Sequence, residues 1–87
     1  MNGFHLKIVT PQRTAFDGEA ERLVVRTREG DTAILPRHAE YAAEVAAGTA
    51  RVIADGQTRQ AETGPGVLTV THEGTTLLCE RFEWKYG

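Results

Sequence analysis

Three histidines and one cysteine are the side chains of this 87-residue sequence best suited to metal binding or nucleophilic chemistry. His5, His38 and His72 are 33 and 34 residues apart, and none belongs to a His-x-His or His-x-x-x-His pair or accompanies a Cys-x-x-Cys motif, the spacings that usually mark a metal site. We therefore interpret them as unrelated strand or loop residues and predict no metal site. No local signature places an activating histidine beside Cys79, so we expect a small buried side chain and not a catalytic thiol.

The sequence also lacks the motifs of phosphate and serine chemistry. It contains no G-x-x-x-x-G-K-[ST] loop, and serine is absent from the chain altogether. Glu19 and Glu21 could be imagined as an acid/base pair, but two residues apart on a strand they more simply form a solvated face. A small metal- or ligand-binding barrel enzyme is a minor alternative. The preferred interpretation is a non-catalytic protein with no cofactor.

Charge and hydropathy argue against further classes of protein. Ten Lys and Arg against 12 Asp and Glu give a net charge of −2 with both signs spread along the chain, so nucleic-acid binding is not expected. The apolar runs are short, so we expect no direct membrane insertion. The amino terminus lacks the apolar stretch of a signal peptide. A length of 87 residues is that of one domain, so residues 1–87 are expected to form a single domain.

The elements that must position these side chains are predicted to be strands. Glycine-containing turns interrupt the chain at the spacing typical of a sandwich or barrel. Phe4 to Ile8 alternates apolar and polar residues, and turns at Asp55-Gly56 and Glu73-Gly74 each lie between two β-rich runs, which predicts two hairpins. The turns fall at Asp17-Gly18, Glu29-Gly30, Gly48, Asp55-Gly56, Gly64-Pro65-Gly66 and Glu73-Gly74.

The predicted fold is all-β, a small antiparallel β-sandwich or flattened barrel with two layers packed face to face. One segment resists this interpretation: residues 39–47, AEYAAEVAA, are strong helix formers and favour a turn of helix when taken alone. The predicted core comprises Phe4, Leu6, Ile8, Leu23, Val25, Ile34, Val52, Val67, Leu68 and Leu78.

A family resemblance begins in the stretch from Glu29 to Tyr41. Its sequence, EGDTAILPRHAEY, resembles the E-G-x-x-G-I-L-P-G-H-A-P-L signature of the epsilon subunit of F-type ATP synthases. The segments HLKIVTP, FDGE, GTARV and GPGVLTV resemble further parts of that family in the same order, and together they cover about residues 4–81. The resemblance implies the amino-terminal β-sandwich domain of an epsilon subunit.

The resemblance also implies a mechanical function. The family's sandwich lies in the central stalk, binds the gamma subunit and the polar loops of the membrane ring of c subunits (the c-ring), and couples ion-driven rotation to ATP synthesis without catalysing a reaction. The expected location is peripheral, at the cytoplasmic face of the inner (plasma) membrane. A free-standing β-sandwich adaptor of another complex is the alternative function.

Contact residues transfer by their position in the family motif. The c-ring-facing loop is expected at Arg28, Glu29, Gly30 and Asp31. A contact near both gamma and the c-ring is expected at Arg37, His38 and Ala39, and an exposed gamma-facing side at Thr10, Tyr41, Ala42 and Ala43.

The sequence departs from the family pattern at several positions. Arg37 and Ala33 replace glycines, and Glu40 replaces a proline. An arginine in place of glycine indicates either a loop that no longer needs a positive φ or one that bears strain. Where the family continues into a helical hairpin, residues 82–87 are expected to form a short aromatic tail of a naturally short subunit. Trp84 and Tyr86 in that tail either seal the edge of the core or form an exposed docking patch.

Overall fold

A computed structural model describes residues 3–37 and 39–85, and in these ranges the chain forms ten strands and no helix. Each strand is short and most alternate buried with exposed residues, as expected where one face covers a core. The all-β prediction is confirmed. The strands are β1 Phe4–Val9, β2 Thr14–Ala20, β3 Arg22–Thr27, β4 Gly30–Ile34, β5 Tyr41–Val45, β6 Gly48–Ala54, β7 Gln57–Thr63, β8 Gly66–Thr71, β9 Gly74–Cys79 and β10 Phe82–Trp84.

The strands form one continuous sheet folded into two layers. Its order is β10-β7-β6-β3-β5-β8-β9-β1-β2, with β4 on the other side of β3. Among the described residues, β3 and β5 pair at a single position, where Thr27 lies opposite Val45. The sheet therefore divides there into a layer of β10, β7, β6, β3 and β4 and a layer of β5, β8, β9, β1 and β2. This is the predicted sandwich, nearly closed as a barrel.

One pairing departs from the antiparallel prediction. β1 runs parallel to β9, with Leu6 opposite Thr75 and Val9 opposite Leu78. Parallel neighbours cannot be joined by a short turn, and here most of the chain separates the two strands. No local signal marks such a pairing, because it depends on how the two layers meet.

The core lies between the layers and draws on both. Eight of the ten predicted core residues are buried or packed against it, including the half-buried Phe4, so most of the prediction is confirmed. Val67 and Leu78 are the errors, with 49% and 52% of their surface exposed. Their neighbours Leu68 and Leu77 are fully buried instead. Successive strand residues face opposite sides, so a run of apolar residues does not reveal which ones face inward.

The predicted helical turn at residues 39–47 is also wrong. Residues 41–45 form β5, which is antiparallel to β8 from Tyr41 opposite Val70 to Val45 opposite Gly66. Val45 is buried and Tyr41 packs against the core, so the strand buries apolar surface that an isolated helical turn would leave in water. A helix this short has little stability of its own, and the neighbouring strand therefore decides the conformation.

Both predicted hairpins are present. β6 and β7 join at Asp55-Gly56, whose φ angles of 53° and 72° are the positive pair that a tight two-residue hairpin turn requires. β8 and β9 join through His72 and Glu73, and Thr71 lies opposite Gly74. The glycine turns therefore predict the local topology correctly.

The predicted aromatic tail is a strand in its described part. Residues 82–84 form β10, paired antiparallel with β7. Phe82 is 2% exposed and Trp84 is half-buried against the core, so these aromatic residues seal an edge of the core. The alternative of an exposed docking patch is wrong for Trp84, and Tyr86 lies outside the described residues.

Candidate functional site

The predicted c-ring-facing loop is a tight turn at the tip of the hairpin formed by β3 and β4. Arg28 and Glu29 are its two exposed residues, and Gly30 follows with a φ of 105°, which favours glycine. The hydroxyl of Thr27 accepts a hydrogen bond from the Glu29 N–H at 3.2 Å and lies 3.0 Å from the carbonyl oxygen of Gly30, to which it can donate. The tip is therefore ordered by its own hydrogen bonds.

Asp31 belongs to β4 and its charge is already paired. The Nε–H of Arg26 donates to its Oδ1 at 2.8 Å, across the two strands. This hydrogen bond and the charge of Arg26 hold the pKa of Asp31 below its ordinary value of 3.8, and Arg51 adds a smaller effect. Arg28 forms no ion pair with any described residue, so the unpaired cation at the tip is Arg28.

The second predicted contact group lies between β4 and β5. Arg37 is exposed and has a φ of 63°, so it occupies the left-handed region that glycine adopts at little cost. The substitution of arginine for the family's glycine therefore leaves strain in the loop. Ala39 is exposed, and His38 lies outside the described residues.

The predicted gamma-facing residues do not share one face. Thr10 is only 7% exposed, so its predicted exposed position is wrong. Its hydroxyl accepts hydrogen bonds from the N–H groups of Gln12 and Arg13, which organise the turn before β2. Along β5, Tyr41 and Ala43 are half-buried and alternate with the exposed Ala42.

The structure does bring part of two predicted groups together. Arg28 and Glu29 at the hairpin tip face Tyr41, Ala42 and Ala43 across a pocket of about 300 Å³. In the sequence, Glu29 and Tyr41 are more than ten positions apart. The hairpin tip and β5 therefore form one continuous surface.

An apolar groove lies on the outer face of the layer that contains β5, β8, β9, β1 and β2, and the sequence did not predict it. Val67 and Leu78 lie directly opposite each other on β8 and β9, and Val9 lies beside Leu78 on β1. With Pro11 they line an open groove of about 590 Å³, with Glu44 and Glu80 also on its wall. Because a two-residue turn at His72-Glu73 joins β8 and β9, counting back from the turn along the hairpin pairs Val67 with Leu78. The turn does not indicate which side of the sheet this pair faces.

The titratable residues considered for chemistry form no site in the described ranges. His5 lies 2.9 Å from Asp17 and His72 lies 3.6 Å from Glu40, each an exposed pair on the surface. Within residues 3–37 and 39–85, no group of three His, Cys, Asp or Glu side chains could hold a metal ion. Cys79 is buried, and burial raises the pKa of its thiol, which disfavours the reactive thiolate.

The family profile described as "ATP synthase, Delta/Epsilon chain, beta-sandwich domain" matches residues 3–85. An ATP synthase epsilon chain of Alkaliphilus oremlandii is 40% identical over 81 residues, covering 93% of this chain and 60% of the relative. A sodium-ion-specific ATP synthase epsilon chain of Acetobacterium woodii is 37% identical, covering 93% of this chain and 62% of the relative. An epsilon chain of Frankia casuarinae is 36% identical over 74 residues, covering 84% of this chain and 87% of the relative.

Among solved structures, a chain of the Euglena gracilis mitochondrial ATP synthase superposes with a TM-score of 0.89. It is 17% identical, and the match covers 97% of this chain and 54% of that one. A chain of the Tetrahymena thermophila central stalk and c-ring structure gives a TM-score of 0.78 at 10% identity, covering 90% of this chain and 63% of that one. At these identities the likeness supports the fold alone. The chain spans about three fifths of the Alkaliphilus and Acetobacterium proteins.

Proposed function

Because this chain belongs to the delta/epsilon family of ATP synthase subunits, which it matches over the β-sandwich domain, we propose that it is a central-stalk subunit of an F-type ATP synthase. In this role it binds the gamma subunit and the polar loops of the c-ring and helps couple ion-driven rotation to ATP synthesis. It carries no catalytic centre of its own and takes its place at the membrane as a peripheral subunit, on the cytoplasmic face.

The observation that carries this proposal is the apolar groove around Val67 and Leu78. Two large aliphatic side chains about half exposed on adjacent strands leave apolar surface in water, which a partner would cover. Val9 and Pro11 extend the groove, and the carboxylates of Glu44 and Glu80 add polar groups to its wall. An apolar centre with polar groups around it is the usual composition of a protein interface. We assign this surface to the gamma subunit.

The hairpin tip supports the second contact. Arg28 and Glu29 are exposed, and the Thr27 hydroxyl and the Arg26–Asp31 ion pair stabilise the turn that presents them. A preorganised tip loses little conformational entropy on binding polar groups of a partner. We therefore retain Arg28 to Asp31 as the c-ring contact, with Arg28 supplying the free positive charge.

No helix capable of crossing a bilayer occurs in residues 3–37 and 39–85. The histidines of the described part of the chain form separate surface pairs, and Cys79 is buried.

The test is binding to the cognate gamma subunit, measured by titration calorimetry with purified proteins. Val67→Asp and Leu78→Asp each place a charge in the groove at an exposed position, so both should weaken binding about tenfold or more while the domain stays folded. Thr58→Asp is the matched control, because Thr58 is exposed on β7 in the other layer. If the unmodified chain does not bind gamma, the adaptor function is favoured instead. If both groove variants bind like the unmodified chain, the assignment of this surface is wrong.

A further inference from the structure

The exposed apolar side chains of the groove lie in a row across adjacent strands, and a carboxylate stands at one end of that row. Val67 of β8 lies opposite Leu78 of β9, which lies beside Val9 of β1. On the other side, Glu44 of β5 lies opposite Val67. Residues at opposite positions of paired strands share a face of the sheet, and the exposure of Val67 and Leu78 shows that this face is the outer one. Glu44 therefore points to the same side as the apolar row.

Glu80 adds a second carboxylate to the groove. It follows Leu78 by two residues, and its N–H donates to the carbonyl oxygen of Pro65 at 3.1 Å, so the pairing of β8 with β9 continues to this point. Glu80 is exposed and lines the groove, as Glu44 does. Neighbouring strands are about 4.8 Å apart and rise about 3.4 Å per residue, which places the Cα atoms of the two glutamates about 12 Å apart. The apolar surface thus has a carboxylate on two sides.

Neither carboxylate is neutralised by a neighbouring side chain. The ion pairs formed within residues 3–37 and 39–85 involve other acidic residues. No lysine or arginine is among the described residues that line the groove. Arg13, Arg28 and Arg81 line neighbouring pockets, and none of them forms an ion pair with Glu44 or Glu80. The groove therefore presents two free negative charges around an apolar centre.

We infer that the segment of the gamma subunit that occupies this groove carries two basic side chains about 12 Å apart and a bulky apolar side chain between them. This inference rests on the proposed function. The apolar side chain covers Val67 and Leu78, and the basic side chains pair with Glu44 and Glu80. Complementary charges around an apolar centre speed association and select the partner. A second copy of this chain does not fit, because two facing grooves would bring four carboxylates together without a cation.

The test is binding of the full chain to the cognate gamma subunit, measured by surface plasmon resonance in about 50 mM and about 0.5 M NaCl. A double variant, Glu44→Gln with Glu80→Gln, keeps the size of both side chains and removes both charges. It should bind about tenfold more weakly at low salt, mainly through slower association. At high salt, where charges are screened, its binding should be less than about twofold weaker than that of the unmodified chain.

Glu73→Gln is the matched control. Glu73 is an exposed glutamate in the turn between β8 and β9, lies outside the groove and forms no ion pair with a described residue. This variant should bind gamma like the unmodified chain at both salt concentrations.

The salt dependence of the unmodified chain tests the inference even if the double variant does not fold. Its binding to gamma should be at least about fivefold weaker at the higher salt concentration. Salt-independent binding of the unmodified chain, or equal binding of the double variant and Glu73→Gln, overturns the inference. So does a loss in the double variant that is as large at high salt, since such a loss would not come from charge. The proposed function fails separately, when the unmodified chain shows no affinity for gamma.

Discussion

The indole Nε1–H of Trp84 donates a hydrogen bond to the carbonyl oxygen of Ala15 at 3.3 Å, although 69 residues separate the two in the sequence. Trp84 belongs to β10 and Ala15 to β2, the two ends of the strand order. Arg13 adds a second link, because its Nη2 donates to the carbonyl oxygen of Phe82 at 2.8 Å. The ends of the sheet are thus joined by side chains, because within residues 3–37 and 39–85 no ladder of backbone hydrogen bonds closes the barrel.

Replacing Trp84 should therefore destabilise the whole domain. Its ring packs edge-on against Phe82 and Phe16 and lies under the guanidinium of Arg59, 3.7 Å from the ring centroid. Trp84→Ala should reduce the free energy of unfolding by about 2–4 kcal/mol, and Trp84→Phe, which removes mainly the hydrogen bond, by about 1 kcal/mol. Urea unfolding followed by circular dichroism measures both. Equal losses for the two variants would mean that the hydrogen bond, and not the packing, dominates.

The strained loop residue Arg37 should be replaceable with a gain in stability. Arginine at a φ of 63° is less favourable than glycine, whereas Asp55, with a φ of 53°, is of a residue type that tolerates this region. Arg37→Gly should raise the free energy of unfolding by about 0.5–1 kcal/mol, and Asp55→Gly, the control, should change it less. Thermal unfolding of the two variants measures the difference. A loss of stability in Arg37→Gly would show that the arginine side chain contributes more than its backbone strain costs.

The ion pair between Arg26 and Asp31 should make stability depend on pH in the acid range. Since folding lowers the pKa of Asp31, the pair stabilises the folded state above the unfolded value near 3.8, and this contribution is lost as the pH falls through the lower folded pKa. Asp31→Asn should therefore be less stable than the unmodified chain at pH 7 and equally stable near pH 2. Because the pair is exposed, 0.5 M NaCl should reduce the difference at pH 7. A difference that persists at pH 2 would show that Asp31 acts through a contact other than its charge.

The thiol of Cys79 should be unreactive in the folded chain. It is buried, and its raised pKa leaves little thiolate at neutral pH. At pH 8 an aromatic disulfide reagent should react with it at least about tenfold more slowly in buffer than in 6 M urea. Val67→Cys provides the control, because that exposed position should give one fast thiol beside the slow one. Rapid reaction of the unmodified folded chain would contradict the buried assignment.

Several features of this protein could be determined from its sequence because they depend on neighbouring residues. The turn at Asp55-Gly56 was predictable, since these residue types adopt the positive φ angles that a two-residue hairpin needs. The alternation of Phe4 to Ile8 predicted which side of β1 is buried. The motif from Glu29 to Tyr41 placed the hairpin tip and the family in which the chain belongs.

The tertiary structure decided the features that depend on distant strands. Val67 and Leu78 face water because their neighbours Leu68 and Leu77 fill the space between the layers, and apolar composition alone does not distinguish the two faces. Residues 41–45 form a strand because β8 offers pairing and burial, which outweigh a weak local helix preference. The burial of Trp84 likewise requires β2 at the other end of the sheet, since Phe16 and Ala15 of that strand contact the indole ring. Local residue preferences oppose these features only weakly. The features are determined by the free energy of burying apolar surface between elements that lie far apart in the chain.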